Sequence, residues 1–336
     1  MHTLVTGGGG FLGRYIVEQL VARGDRVRSF GRGAYSELAA LGAEVIRGDI
    51  RDRDAVAAAC RRIDCVFHTA AVAGIGGPWR KFHEVNVLGT EHLLEACRTQ
   101  GVPRLVLTSS PSAVFAGEDQ CGIDESAPYA APWLEKHGGH YSRSKALAEQ
   151  QVLLANESDR LTTCALRPHL IWGPRDQHLV PRLIARARSG RLRRVGDGTN
   201  RVDIVYVENA ATAHLQAADA LARENSSVAG RAYFLSQGEP VNCWQWIDEI
   251  LQLAGLPPVR KAISLKAAWR IGAACEAVYG LLQTEREPPM TRFLAARLAT
   301  SHWFDISAAK RDFGYQPQIS TAEGMRRLGD WLRREV

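Results

Sequence analysis

The stretch that most constrains this chain is Thr3–Gly13, TLVTGGGGFLG, where a short apolar strand, a glycine turn and a helix start follow one another without a spacer. Glycines at Gly7, Gly10 and Gly13, or in the neighbouring register Gly8, Gly10 and Gly13, permit a tight turn and a close backbone approach. Such a turn suits a pyrophosphate, whose charge then lies over the N-terminus of the helix beginning near Phe11. A glycine pattern alone also fits a plain turn, so its partners downstream decide its meaning. Leu12, Ile16, Val17, Leu20 and Val21 recur at helical spacing, and Gly24 ends the helix. A second strand, Arg26 to Phe30, ends at Gly31 and Arg32, where a dinucleotide fold reads the adenosine ribose. An acid there favours NAD. Here Gly31 carries no repelling carboxylate and Arg32 offers a cation to a 2′-phosphate, which makes NADP(H) the expected cofactor; a solvated turn arginine is the alternative.

The pattern then repeats. Ala43 to Arg47 reads as a third strand, followed by Asp49, Ile50 and a helix from Asp52 to Ala59. Asp49 either accepts a hydrogen bond from an adenine amine or flanks that helix. A fourth strand, Cys65 to His68, runs into Thr69, Ala70 and Ala71, small residues beside which a cofactor can pass; His68 is expected to pack at the strand end. A long helix from Phe82 to Arg98 contains Asn86, and a fifth strand, Leu105 to Leu107, ends in Thr108, Ser109 and Ser110. Strands alternating with helices at this spacing predict an α/β fold with a doubly wound parallel sheet and ligands at the carboxyl ends of its strands. Tyr141 and Lys145 stand four residues apart on the next helix and share one face. A free phenol has a pKa of about 10, and an adjacent ammonium is expected to stabilise the phenolate and bring it towards neutrality.

Composition narrows the partners. With 336 residues, 46% hydrophobic and 23% charged, the chain is long enough for two ordinary globular units. A net charge of +6 suits a phosphorylated cofactor or an acidic substrate as well as nucleic acid; basic residues are dispersed apart from short runs such as Arg191, Arg193 and Arg194, and no nucleic-acid partner is expected. Seven cysteines form an odd set without a C-x-x-C pair, so neither a disulfide framework nor a metal site is expected. The first strand begins by His2 or Thr3 and no run of 18 apolar residues occurs, which points to a cytoplasmic protein without a cleaved signal or membrane span.

On these motifs the chain resembles an extended short-chain dehydrogenase/reductase over essentially all of its length. The resemblance implies a Rossmann-type doubly wound sheet with a smaller, mainly helical C-terminal substrate lobe. The division expected is 1–168 for the dinucleotide, with 203–236 returning to its sheet, and 169–202 with 237–336 for the substrate. It implies Gly7, Gly10, Phe11, Leu12 and Gly13 at the pyrophosphate, Arg32 at the ribose, Asp49 and Ile50 at the adenine, and Ala70, Asn86 and Pro168 elsewhere along the cofactor. Ser110, Tyr141 and Lys145 match the catalytic trio, with Ser109 and Ser112 as alternative hydroxyls, and Tyr141 and Lys145 also touch the cofactor. Arg167-Pro-His-Leu-Ile-Trp-Gly-Pro174 matches the family's turn near the nicotinamide; a packing role is expected for His169. The segments 108–117, 166–174, 181–198 and 287–307 are similar to the branch holding 3β-hydroxysteroid dehydrogenases, sterol-4-carboxylate dehydrogenases and the bacterial 2-alkyl-3-oxoalkanoate reductases of long-chain olefin biosynthesis. NADPH-dependent reduction of a 2-alkyl-3-oxoalkanoic acid is the activity this implies. Steroid alcohol oxidation, nucleotide-sugar epimerisation or dehydration, and a non-enzymatic NADP-sensing module are the alternatives. Arg175, Arg182 and Arg201 are the candidates to meet a substrate carboxylate. Ser264–Gln283 reads as a core helix or as a partly exposed lid for a long acyl chain. Such a lid would touch a membrane surface or a partner, with a homodimer and other enzymes of the pathway as the partners to expect.

Overall fold

A computed structural model describes residues 1–74, 76–282 and 287–335. Seven strands form its main sheet: β1 (His2–Thr6), β2 (Arg26–Gly31), β3 (Glu44–Arg47), β4 (Cys65–His68), β5 (Arg104–Thr108), β6 (Thr162–Pro168) and β7 (Arg231–Leu235). All pairings are parallel, in the order β7-β6-β5-β4-β1-β2-β3, so the chain reverses direction across the sheet between β1 and β4. The central strands β4 and β5 are largely apolar because both faces of the sheet are covered there, whereas β3 at the edge, EVIR, is exposed at both ends. Successive residues point to opposite faces: Val5, Phe67 and Val106 enter one core, and Leu4, Val66 and Leu105 enter another. Helix α1 (Phe11–Ala22) covers the first face with Leu12, Ile16, Val17 and Leu20. Helices α2 (Arg53–Ala59), α3 (Gly89–Gln100) and α4 (His140–Leu154) cover the second. This is the Rossmann-type doubly wound sheet, and its strands' carboxyl ends face one edge of the molecule.

Two elements differ from the sequence reading. The helix expected from Phe82 to Arg98 is interrupted: a short helix, Trp79–Phe82, passes into a π-helical turn, His83–Leu88, before α3 begins. Periodicity does not reveal one extra residue per turn, and such bulges concentrate where a side chain has to be re-aimed. Of 203–236, only β7 joins the main sheet. Val205–Tyr206 instead pairs with Ile171–Trp172 in a separate two-stranded ribbon.

The longer of the remaining helices are α5 (Leu179–Arg188), α6 (Val207–Leu221), α7 (Cys243–Leu253), α8 (Leu265–Leu281), α9 (Arg292–Ala299) and α10 (Thr321–Glu335). Helix α6 lies against α1, whereas α5, α7, α9 and α10 contribute to a third core. At its centre Trp172 meets Tyr206 and Trp246 edge-on, with ring centroids 5.3 and 5.9 Å away. Helix α8 packs on α9 and buries only Ala268 and Gly272, so it is not a core helix; the Gln283 end of the expected segment lies outside the described residues. No described helix is long and apolar enough to cross a membrane.

Candidate active site

The glycine turn is built as a cradle. Gly7 takes φ +73°, and a Cβ there would lie 2.8 Å from the Ala70 Cα; a Cβ on Gly13 would lie 2.2 Å from the Gly7 carbonyl oxygen. Gly8 packs away from the cleft, against Ser29, so Gly7, Gly10 and Gly13 form the register that faces it. Helix α1 begins at Gly10 with no side-chain cap, whereas Asp52, Asp176 and Asn242 accept first-turn N–H groups at the starts of α2, α5 and α7. Uncapped N–H groups and the positive end of the helix dipole suit an anion. The residues present therefore fit a dinucleotide pyrophosphate.

On one side of this turn a cavity of about 220 Å³ is lined by Gly31, Arg32, Tyr35, Asp49, Ile50 and Ala70. Arg32 is exposed, and its carbonyl accepts a hydrogen bond from Arg47 Nε at 3.0 Å. Arg51 grips Asp49 through both carboxylate oxygens, at 3.0 and 2.8 Å, and this hydrogen-bonded cation holds the Asp49 carboxyl down to about 2. Sequence reasoning missed Tyr35, whose ring rests against the loop; a Cβ on Gly31 would come within 3.3 Å of Tyr35 Cε2. Its signal was an aromatic four residues past the glycine that ends β2. Asn86 is a correction. It is buried and lines neither cavity, because its amide bonds the Val72 backbone in both directions, at 2.7 and 3.0 Å, and donates to Ser144 Oγ at 2.8 Å. Ser144 in turn donates to the Tyr141 carbonyl at 2.7 Å. From the π-helical turn, Asn86 thus ties the loop after β4 to α4.

On the other side lies a cleft of about 420 Å³, whose lining includes Phe11, Leu12, Ser110, Tyr141, Lys145 and Pro168. Gly7, Gly10, Thr69 and Ala71 belong to both cavities, so the two are continuous. Ser110 caps the short turn Pro111–Val114, with its Oγ 2.8 Å from Ser112 Oγ. Ser109 also lines the cleft, but its hydroxyl is enclosed and has no hydrogen-bond partner among the described residues. Burial pushes the Tyr141 phenol up to about 12, with the Ser110 hydroxyl pulling the other way. Burial likewise draws Lys145 down to about 8, opposed by Glu149 one turn along α4, while Lys145 Nζ donates to the Thr108 carbonyl. The expected lowering of the phenol by the ammonium is not present: burial raises Tyr141, the Ser110 hydroxyl is what opposes it, and the phenol is held protonated.

The frame behind the trio is buried and charged. Arg167, at the end of β6, pairs with Glu149 at 2.5 Å, and Tyr129 donates to the same carboxylate at 2.7 Å. His68 is a packing residue. Thr90 Oγ1 donates to the Asn86 carbonyl, so it accepts from His68 Nε2 at 2.9 Å, and Thr6 Oγ1 donates to Nδ1 at 2.7 Å; burial keeps the ring neutral, with its pKa near 3.

Of the three arginines expected for a substrate carboxylate, two are engaged elsewhere. Arg175 forms paired bonds to Glu18 at 2.6 and 2.8 Å, and Arg201 donates to the Pro240 carbonyl at 2.7 Å. Arg182 lines the cleft and pairs with Glu287 at 3.0 Å. A fourth, Arg297 of α9, was missed. It lines both the catalytic cleft and an adjoining apolar cavity of about 250 Å³ that includes Leu183, Leu192, Trp246, Ile247 and Leu298. His169, also in the cleft wall, accepts from Arg297 Nη2 at 2.9 Å and, through Nδ1–H, donates to the Asp203 carbonyl at 2.5 Å.

A family described as the 3-beta hydroxysteroid dehydrogenase/isomerase family matches residues 4–266. The chain is similar to a 2-alkyl-3-oxoalkanoate reductase of Stenotrophomonas maltophilia, with 50% identity over 98% of each chain. It is also similar to a 2-alkyl-3-oxoalkanoate reductase of Shewanella oneidensis, with 46% identity over 97% of this chain and 85% of that one. Among solved structures, the Thermus thermophilus UDP-glucose 4-epimerase complex with NAD shares the fold with a TM-score of 0.75 and 26% identity over 100% of both chains. The chain therefore belongs to the 3-beta hydroxysteroid dehydrogenase/isomerase family and is an NAD(P)-dependent oxidoreductase of the extended short-chain dehydrogenase/reductase type.

Proposed function

We propose that this protein uses NADPH to reduce the 3-oxo group of a 2-alkyl-3-oxoalkanoic acid to the 3-hydroxy acid, a step of long-chain olefin biosynthesis. The observation that carries this reading is the 50% identity, over nearly the whole of both chains, to a reductase of that substrate. When bound, the cofactor supplies a hydride to the carbonyl carbon. Tyr141, kept protonated by its burial, gives its proton to the carbonyl oxygen, and Ser110 Oγ holds that oxygen in place. Lys145 binds the ribose hydroxyls. Gly7, Gly10, Phe11, Leu12 and Gly13 hold the pyrophosphate, Arg32 the 2′-phosphate, Asp49 and Ile50 the adenine, and Ala70 and Pro168 wall the channel. Residues 1–168, with 203–236, serve the cofactor, and 169–202 with 237–336 serve the substrate. The apolar face of α8 acts at the cleft's mouth and meets a membrane surface.

The test is a panel of 2-alkyl-3-oxo acids, 3β-hydroxysteroids and UDP-sugars, followed by NADPH absorbance for reduction, NADPH formation for oxidation and product analysis for epimerisation. Turnover confined to the 3-oxo acids is expected. Turnover of steroids alone overturns the proposal in favour of the steroid activity in the family's name, and tight cofactor binding with no turnover overturns it in favour of a binding module.

A further inference from the structure

Arg297 is held in a setting that ordinary packing does not explain. No carboxylate lies within ion-pair distance of it among the described residues, and its Nη1 is enclosed without a hydrogen-bond partner. Nη2 donates to His169, which is neutral because its Nε2 accepts that bond and its Nδ1 proton is committed to the Asp203 carbonyl. The guanidinium also lies over the Phe115 ring, 4.9 Å from its centroid. A ring face and a neutral imidazole satisfy part of a cation's demand and none of its charge. Burial draws Arg297 down to about 10, low for a guanidinium. Neighbouring side chains also hold its geometry: His302 Nε2 donates to the Arg297 carbonyl at 3.0 Å, and the His169 and His302 rings meet at a tilt with centroids 4.8 Å apart.

The position matters as much as the missing partner. Arg297 stands where the polar cleft holding Ser110, Tyr141 and Lys145 meets the apolar cavity walled by Leu183, Trp246 and Ile247. A 2-alkyl-3-oxo acid has the same three parts around one carbon: a ketone on one side, a carboxylate on the other and an alkyl branch. We propose that Arg297 is the residue that binds the substrate carboxylate, and that the 2-alkyl branch enters the adjoining apolar cavity. This rests on the reductase reading given above. A guanidinium already desolvated and aimed by His169 gains a charge-assisted bond at little further desolvation cost.

The experiment uses the stable reverse-direction substrate, a 2-alkyl-3-hydroxyalkanoic acid, and its methyl ester, with NADP⁺ and the full chain. Arg297→Gln is expected to lower the acid-to-ester ratio of kcat/KM by about tenfold to a hundredfold, the range for a hydrogen bond to a charged group, and Arg297→Lys to restore part of it. An equal loss on acid and ester overturns the assignment. A second measurement needs no variant: calorimetric binding of a 2-alkylalkanoate anion and of its primary amide to wild-type protein with NADPH. The anion is expected to bind at least about tenfold tighter, and equal affinity overturns the proposal. Preferential anion binding, lost in Arg297→Gln, combined with no turnover of the hydroxy acid supports the anion site and overturns the reductase reading instead.

Discussion

A phenol raised to about 12 stays protonated throughout the working range, which is the state a reductase requires of its proton donor. Tyr141→Phe is expected to lower kcat/KM for reduction by about 10²- to 10⁴-fold, the usual worth of a positioned acid, while NADPH affinity measured by fluorescence titration is retained. Lys145 sets a pH dependence with two opposite slopes. Its folded pKa, about 8, lies below the ordinary 10.5, so between these values the unfolded chain binds the additional proton. Stability attributable to this group therefore rises with pH from about 8, as the cost of the buried ammonium is relieved, while NADPH affinity falls with the lost charge. The comparison of wild type with Lys145→Met in melting and NADPH titrations from pH 7 to 10 checks both, and parallel curves for the two proteins would show that Lys145 does not titrate there. Arg32→Ala is expected to narrow the NADPH-over-NADH preference by about tenfold to a hundredfold. Equal use of both cofactors by wild type would refute the reading of that turn.

Among the elements, α4, which bears Tyr141 and Lys145, is joined to β6 by one buried pair. The side chains of Arg167 and Glu149 are 3% and 0% exposed, so removing one partner strands the other in a medium that does not solvate it. Glu149→Gln is expected to destabilise the fold by about 3–5 kcal/mol in urea unfolding, and Glu149→Leu with Arg167→Met to recover most of that loss. A single-variant loss below about 1 kcal/mol would mean that water reaches the pair. The alternation of strands and helices was legible in the sequence because the central strands are short, mostly apolar segments set between glycine turns and helical spacing. The π-helical turn at His83–Leu88 was not, since it changes the register of hydrogen bonds without changing composition. Asn86, assigned to the cofactor on the family resemblance, sits in that turn with its amide tying Val72 to Ser144.

Across the whole molecule, the unusual surface is α8. Val278 and Leu281 are 51% and 87% exposed on a helix that packs on α9, the helix bearing Phe293 and Arg297 at the cleft. A globular surface tolerates isolated apolar residues, but a row of them on a helix joined to the cleft through α9 suits a route for an acyl chain. Val278→Ser with Leu281→Ser is expected to raise KM several-fold more for long-chain than for short-chain 3-oxo acids, with an unchanged melting temperature because neither side chain is in a core. An equal rise for both chain lengths would remove α8 from substrate access.

By itself the sequence determined the doubly wound sheet, a glycine cradle in one of two registers, and the Tyr141 and Lys145 pair, while Ser110 rested on the family resemblance. The first three are encoded by local spacing: period two in a strand, 3.6 in a helix, and four residues between two side chains that share a helix face. Tertiary structure alone decided what those groups meet. The Tyr141 pKa follows from burial by distant elements, Arg175 is drawn to Glu18 by a contact spanning 157 residues, and Arg297 is aimed by His169 from 128 residues away. Desolvation and partner choice depend on the folded neighbourhood, and no spacing along the chain records it.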